Sequence, residues 1–312
     1  MNYVKSRLII LLSMLLLSIV VLKDILTPKD INLTLSPINP KKTTTIFAAY
    51  SQDGVFSDYV TAYLKKLKEI SPNIIFVADT PISKKEVYKL KPYVNHIIAY
   101  RHNEYDWGSY KRGFNWLKQF NFPAPNTYPL LILANDSAIS LTPSLRPILK
   151  DMEKKLPDFY GITANQDGTY HIQSHFLILT PKLYTTNEFN NYLNAVKPEK
   201  DGLTVASKYE VPFTKYFESL GYTHSTFIPY EELSYLPLND KNCYPLTLLT
   251  KHKLPLLKIR TFTNRLHVQE SRRLLFKQLK QHHHKAYKQL IRHLKKINSP
   301  YLKDNREWKN YI

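Results

Sequence analysis

The residues best suited to chemistry fall in three separate stretches. Asn135-Asp136-Ser137 closes an apolar run, Leu130 to Leu133. A carboxylate at the end of a buried strand, between an amide and a hydroxyl, can hold a hard metal ion or a sugar hydroxyl. The same triplet also suits an ordinary Asx turn. Earlier in the chain, Arg101, Asn103, Asp106 and Lys111 converge where a strand gives way to a helix. Arginine and lysine match phosphate oxygens, and a helix N-terminus adds favourable backbone dipoles. Asp106 could accept hydrogen bonds from a ribose or a base; a charged loop before a capped helix is the plainer alternative. Later, Glu210 sits near the start of a helix, where the dipole stabilises a carboxylate. Capping alone would explain it equally well.

The elements that position these groups read as an α/β alternation. Thr43 to Tyr50, Asn73 to Ala78 and His96 to Tyr100 have the β-branched, apolar character of strands. Val55 to Ile70 and Ser83 to Leu90 have helical periodicity between them. This order predicts a mostly parallel sheet flanked by helices, with right-handed crossovers. Ser109 to Gln119, Leu145 to Leu156, Thr186 to Ala195 and Lys208 to Gly221 read as further helices. Tyr170 to Thr180 reads as one strand, with His171, Gln173 and His175 on a shared face. Two histidines four apart on a strand lie ~13 Å from each other, too far to grip one metal. Lys258 to Phe262 reads as a last short strand.

Composition narrows the function classes. Seven glycines, with neither G-x-G-x-x-G nor a Walker pattern, argue against a glycine-rich phosphate loop. One cysteine, Cys243, excludes an intramolecular disulfide and a multi-cysteine zinc site. The net charge of +19 is concentrated in the tail: from Lys258 onward there are 15 Lys/Arg against 3 acidic residues. A nucleic-acid binder would spread that excess over its surface, so no nucleic-acid partner is expected.

Both ends point to a membrane. Leu8 to Leu22 is apolar but for two serines and is preceded by Lys5 and Arg7. It reads as an uncleaved, single-pass N-terminal anchor, residues 1–23, since no small-x-small cleavage site follows. Residues 24–42, with Pro28, Pro37 and Pro40, read as a linker to a globular domain at 43–262. The remaining 263–312 form a basic helical extension, chiefly Val268 to Ile297. Its apolar stripe and surrounding lysines would suit an anionic membrane surface.

Four ordered pieces, RHNEYDWGSYKRG at 101–113, LILANDS at 131–137, HIQSHF at 171–176 and KYEVPFTKYFESLGY at 208–222, resemble the rhamnan synthesis F family of polysaccharide glycosyltransferases. Where that family carries glycine before an aromatic–Asp pair, this chain has Glu104. The resemblance implies a GT-A-like (Rossmann-like) fold over residues 43–262. It implies transfer of a sugar, of the rhamnose type, from a nucleotide-sugar to a cell-surface polysaccharide or lipid-linked glycan precursor. Arg101, Asn103, Asp106, Lys111, Asn135 and Asp136 would bind the donor, Asp136 through Mg²⁺ or Mn²⁺. Glu210, with His171 as second choice, would be the catalytic base. Gln173, Ser174 and Tyr209 would line the sugar and acceptor pocket. A domain fed by cytosolic nucleotide-sugars is expected to face the cytoplasm. The alternative is a non-catalytic glycan-binding or scaffold protein on the same fold.

Overall fold

The computed structural model describes residues 2–263 and 268–299, with side chains from residue 14 onward. The end of the basic extension and the side chains of Lys5, Arg7 and Leu8 to Ser13 lie outside the described residues. Twelve strands follow in chain order: β1 (Ile31–Thr34), β2 (Thr44–Ala49), β3 (Asn73–Ala78), β4 (His96–Ala99), β5 (Leu131–Asn135), β6 (Ala138–Ser140), β7 (Phe159–Gly161), β8 (Ala164–Asn165), β9 (His171–Ile172), β10 (Phe176–Leu179), β11 (His224–Thr226) and β12 (Leu256–Lys258). Twelve α-helices accompany them: α1 (Asn2–Leu26), α2 (Asp58–Leu67), α3 (Lys84–Leu90), α4 (Tyr105–Leu117), α5 (Arg146–Lys155), α6 (Pro181–Tyr184), α7 (Asn187–Asn194), α8 (Gly202–Val205), α9 (Val211–Ser219), α10 (Pro245–His252), α11 (Arg272–His282) and α12 (His284–Lys296).

Eight strands form one sheet in the order β1-β4-β3-β2-β5-β10-β7-β11. The central four, β4-β3-β2-β5, are parallel. Strands β1 and β10 run antiparallel to their neighbours. Every residue of β2, β3, β4 and β5 is buried, which is why these strands read as continuous apolar runs. Alternation along β2 divides the core in two. Phe47 and Ala49 face a layer that includes α2, α3, α11 and α12. Ile46 and Ala48 face α4, α7 and α9. Chain order grows outward from β2 through β3 to β4, then returns to place β5 on the other side of β2. That reversal leaves a crevice at the carboxyl ends of β2 and β5, where open α/β sheets bind ligands.

Several expectations require correction. Ile31 to Thr34, expected in a linker, pairs with β4 as the edge of the sheet. Tyr170 to Thr180 is not one strand: β9 pairs with β8 in a small hairpin, while β10 joins the main sheet. Gln173 to His175 turn between them, the Gln173 side chain accepting from Thr163 and the Ser174 amide donating to Glu210. The last pairing is at Leu256–Lys258, and Ile259–Phe262 is a 3₁₀ turn. The basic helix is two helices, broken at His283. Their apolar faces, including Leu275, Leu279, Leu290 and Leu294, are buried in the domain core. The stripe expected to meet a membrane is covered by the protein itself. Among the described residues no helix is long and apolar enough to cross a membrane. In α1 the apolar residues from Met14 to Val21 are nonetheless exposed.

Candidate active site

A cavity of about 630 Å³ occupies the crevice between β2 and β5. Asp106, Asp136 and Glu210, far apart in sequence, all line it. Each arrives for a local reason. Asp136 follows β5 directly and is pinned to β2: its backbone N–H donates to the Ala48 carbonyl (3.1 Å), and its Oδ2 accepts from the Tyr50 amide (3.0 Å). The Tyr59 hydroxyl of α2 donates to the Asp136 carbonyl (2.7 Å). Asp106 lies in the first turn of α4. Its Oδ1 accepts from the Trp107 amide (3.0 Å) and its Oδ2 from the Asn135 side chain (3.0 Å). Asn135 therefore orients Asp106, while its own Oδ1 accepts from the Ser137 amide and hydroxyl (3.1 and 2.6 Å). Glu210 closes a π-helical turn, Ala206–Glu210, between α8 and α9. Such turns recur at functional sites because they redirect a side chain out of the regular ladder. Its Oε1 accepts from the Ser174 amide (3.0 Å).

Two cations complete the wall. Strand β12 pairs antiparallel with β6, placing Lys258 opposite Ala138, two residues beyond Asp136. The Ile259 amide donates to the Ser137 carbonyl (2.7 Å), locking that register. Lys258 and Arg260 thus both reach the cavity, Arg260 paired to Asp240 (2.7 Å). Arg101 lines the opposite part, its Nη1 donating to the Asp79 carbonyl (3.0 Å) and its guanidinium lying 5.0 Å from the Tyr50 ring centre. Tyr105, also in the wall, holds φ of +57°, a strained conformation for an aromatic residue.

The electrostatics are mutually frustrated. Burial, and then the charge of Glu210, push Asp106 up to about 6. Burial pushes Asp136 up to about 7, against the Tyr50 amide, and Asp106 adds to the rise. Burial and then Arg260 pull Lys258 down to about 8, opposed by Glu210 and Asp106. His175, with its Nδ1 buried and unpartnered, is held well below the ordinary histidine value by burial, then by Lys258 and Arg260. Shifts of this kind in a cleft mark groups poised for ligand or proton chemistry. A cation beside the two aspartates would relieve both. Among the described residues no group of three or more His, Cys, Asp or Glu could hold a metal. A Mg²⁺-type ion does not need one: it binds through one or two carboxylates plus substrate phosphates. Asp136 fits that role through Oδ1, its Oδ2 being taken by the Tyr50 amide, whereas both oxygens of Asp106 are already engaged.

The structure separates the remaining sequence candidates. Ser174 lines the cavity. Asn103 turns away, its amide donating to Asp79 Oδ1 (2.9 Å) with φ of +59°. Lys111 sits elsewhere, donating to the Val196 carbonyl (2.7 Å) and pairing with Glu104. Five positions at ~100° each carry it ~140° round α4 from Asp106, onto another face. Glu104, at the position where glycine was expected, is buried and pairs with Arg112 (2.7 Å). His171 does not line the cavity; its Nδ1 lies 2.8 Å from the Thr169 carbonyl. Gln173 is buried and accepts from Thr163 (2.9 Å). Tyr209 donates outward to Glu199 (3.0 Å). Lys258, Arg260 and His175 are lining residues that sequence reasoning missed as site groups. For Lys258 and Arg260 the only signal was the pairing of β12 beside the Asn-Asp-Ser turn, which no local pattern announces, whereas His175 stood next to Ser174 in HIQSHF.

Among solved structures, the chain is similar to the mannosyltransferase Ktr4p from S. cerevisiae, with 9% identity over 55% of this chain and 65% of that one, at a TM-score of 0.33. It is similar to the core-mannan synthase A from Aspergillus fumigatus in its Mn/GDP form, with 10% identity over 54% and 69% of the two chains, at 0.31. It is also similar to Ktr4p in complex with GDP, with 11% identity over 59% and 67%, at 0.30. The chain thus spans just under two thirds of the first of these. No curated protein matches it. The family model described as rhamnan synthesis protein F matches residues 74–308, which takes in the cavity wall from Asp79 to Arg260, and the chain belongs to that family.

Proposed function

We propose that this chain is a glycosyltransferase, moving a sugar of the rhamnose type from a nucleotide-sugar to a cell-surface polysaccharide or lipid-linked precursor. One observation carries the reading: Asp106, Asp136 and Glu210 share a single cavity with Arg101, Lys258 and Arg260. The family membership supports the substrate class. The cations receive the diphosphate, whose charge grows as it departs, and preorganised charge of this kind is the main electrostatic contribution to such a reaction. Asp106, oriented by Asn135, accepts hydrogen bonds from the nucleoside. Asp136 would hold Mg²⁺ or Mn²⁺, which would offset diphosphate charge when bound. Glu210 takes the proton of the acceptor hydroxyl as its oxygen bonds to the anomeric carbon and the bond to the diphosphate breaks. The Ser174 amide fixes the Glu210 carboxylate for that transfer.

The domain works at the cytoplasmic face, with α1 as its tether. The exposed apolar side chains of α1 between Met14 and Val21 support its use as a tether.

The test is a nucleotide-sugar screen on the purified chain. Donor binding should raise the melting temperature by mass action, and the stabilising donor should be hydrolysed or transferred. Asp136→Ala should abolish turnover while the protein stays folded. Normal turnover by that variant refutes the assignment of Asp136, and no response to any nucleotide-sugar refutes sugar transfer.

A further inference from the structure

A second hollow, of about 610 Å³, lies between α2, the segment after β6 and the start of α12. Its charged lining is Lys65, Lys66 and Lys285 against one carboxylate, Glu69. None of the three lysines has a carboxylate within 4 Å among the described residues. Lys66 is half-buried, and its ammonium is held in place by the Ser140 carbonyl (3.2 Å) and hydroxyl (3.1 Å). Burial, and then the charge of Lys285, hold Lys66 below the ordinary lysine value. A charge fixed there without a counter-ion is costly, and an anion would relieve it.

Three further features aim at the same space. Helix α12 begins here, and its first turn has no side-chain cap. The residues of that turn, His284, Lys285 and Ala286, line the hollow, and their backbone amides carry the positive end of the helix dipole. His283 braces the rim, its Nδ1 lying 3.0 Å from the Leu141 carbonyl. Gln289, only 9% exposed, lines the hollow, and its side-chain amide has no hydrogen-bond partner among the described residues. That amide is free to donate to a polar occupant of the hollow.

We propose that this hollow binds a phosphate group, held by Lys66, Lys285, the first-turn amides of α12 and the Gln289 side chain. A tetrahedral dianion offers each of these donors an oxygen. The inference is independent of the sugar-transfer reading, because none of these residues lines the donor cavity. The phosphate belongs either to a free ion or to a phosphomonoester lipid headgroup.

Calorimetry on the full chain tests this, in a Lys258→Met background that weakens phosphate binding at the donor cavity. Inorganic phosphate should bind, and Lys66→Gln/Lys285→Gln should weaken it about tenfold or more, as for loss of charged hydrogen bonds. Lys285→Gln alone, an exposed change that leaves the fold intact, should weaken it several-fold. Dihexanoyl phosphatidic acid, below its micelle concentration, distinguishes the sources. Binding clearly tighter than inorganic phosphate identifies a headgroup; equal or weaker binding identifies the free ion. An affinity unchanged in both lysine variants, or no binding by the parent, overturns the proposal.

Discussion

Asp136→Asn should make the ligand-free protein more stable at pH 8 while removing its turnover. Burial holds the Asp136 carboxyl at about 7 rather than its ordinary 3.8. The folded state therefore binds a proton across that interval which the unfolded chain has already released. Stability falls with pH wherever the folded state holds more protons, so Asp136 lowers stability progressively from about pH 4 to about pH 7. A rise from 3.8 to about 7 corresponds to about 4 kcal/mol at full effect. Asp136 is half-buried and opens on a solvated cavity, so roughly half of that, about 2 kcal/mol, is expected. Asparagine keeps an oxygen for the Tyr50 amide and removes the charge. At about 2–4 °C per kcal/mol for a chain of this size, the variant should melt about 4–8 °C higher at pH 8. The advantage should shrink at pH 5, where less of the folding penalty has accumulated. Thermal melts of both proteins at pH 5 and pH 8, without nucleotide or metal, measure the difference. An equal or lower melting temperature for Asp136→Asn at pH 8 would show that the cavity already neutralises this carboxylate, and the case for a missing cation would go with it.

Three other substitutions separate roles within the same frame. Glu210→Gln keeps an acceptor for the Ser174 amide but removes the base, so kcat should fall about 10²–10⁴-fold with donor Kd little changed; a large rise in Kd instead would place Glu210 in donor binding. Lys258→Met should weaken nucleotide-sugar binding by about 1.5–3 kcal/mol, roughly ten- to a hundredfold in Kd, measured by calorimetry, and unchanged affinity would remove Lys258 from the diphosphate site. Gly113→Ala tests packing alone: its Cβ would meet Ile46 Cγ2 at 2.4 Å, where α4 crosses β2. It should destabilise by about 1–3 kcal/mol in denaturant titration while a refolded fraction keeps its donor Kd.

What the sequence made legible was what local pattern encodes. The β2, β3, β4 and β5 runs announce themselves because a strand buried on both faces has no polar positions to spare. Asp136 is legible because it stands where a strand ends, and Asp106 because it opens the helix that follows one; strand ends and the helices after them open on the crevice in this architecture. Lys111 shows the limit of counting residues near a site: the helical angle from Asp106 already pointed it elsewhere. Lys258 and Arg260 lay beyond local reading because β12 reaches the Asn-Asp-Ser turn through pairing with β6, a contact between distant segments.

The basic tail was misjudged for a different reason. An amphipathic helix has the same spacing whether its apolar side meets a membrane or the core of its own domain, and periodicity cannot say which. The sheet layer containing Phe47 and Ala49 left room that α2 and α3 do not fill, and α11 and α12 fill it. Packing there also turns the lysines of α2 and α12 toward each other around the second hollow. Like charges brought together by apolar packing carry an electrostatic cost that only a counter-ion removes. In the tail, Lys285 is the basic side chain that shares this hollow with Lys65 and Lys66 of α2, so a bound anion would answer for that one charge rather than for the excess of the whole tail.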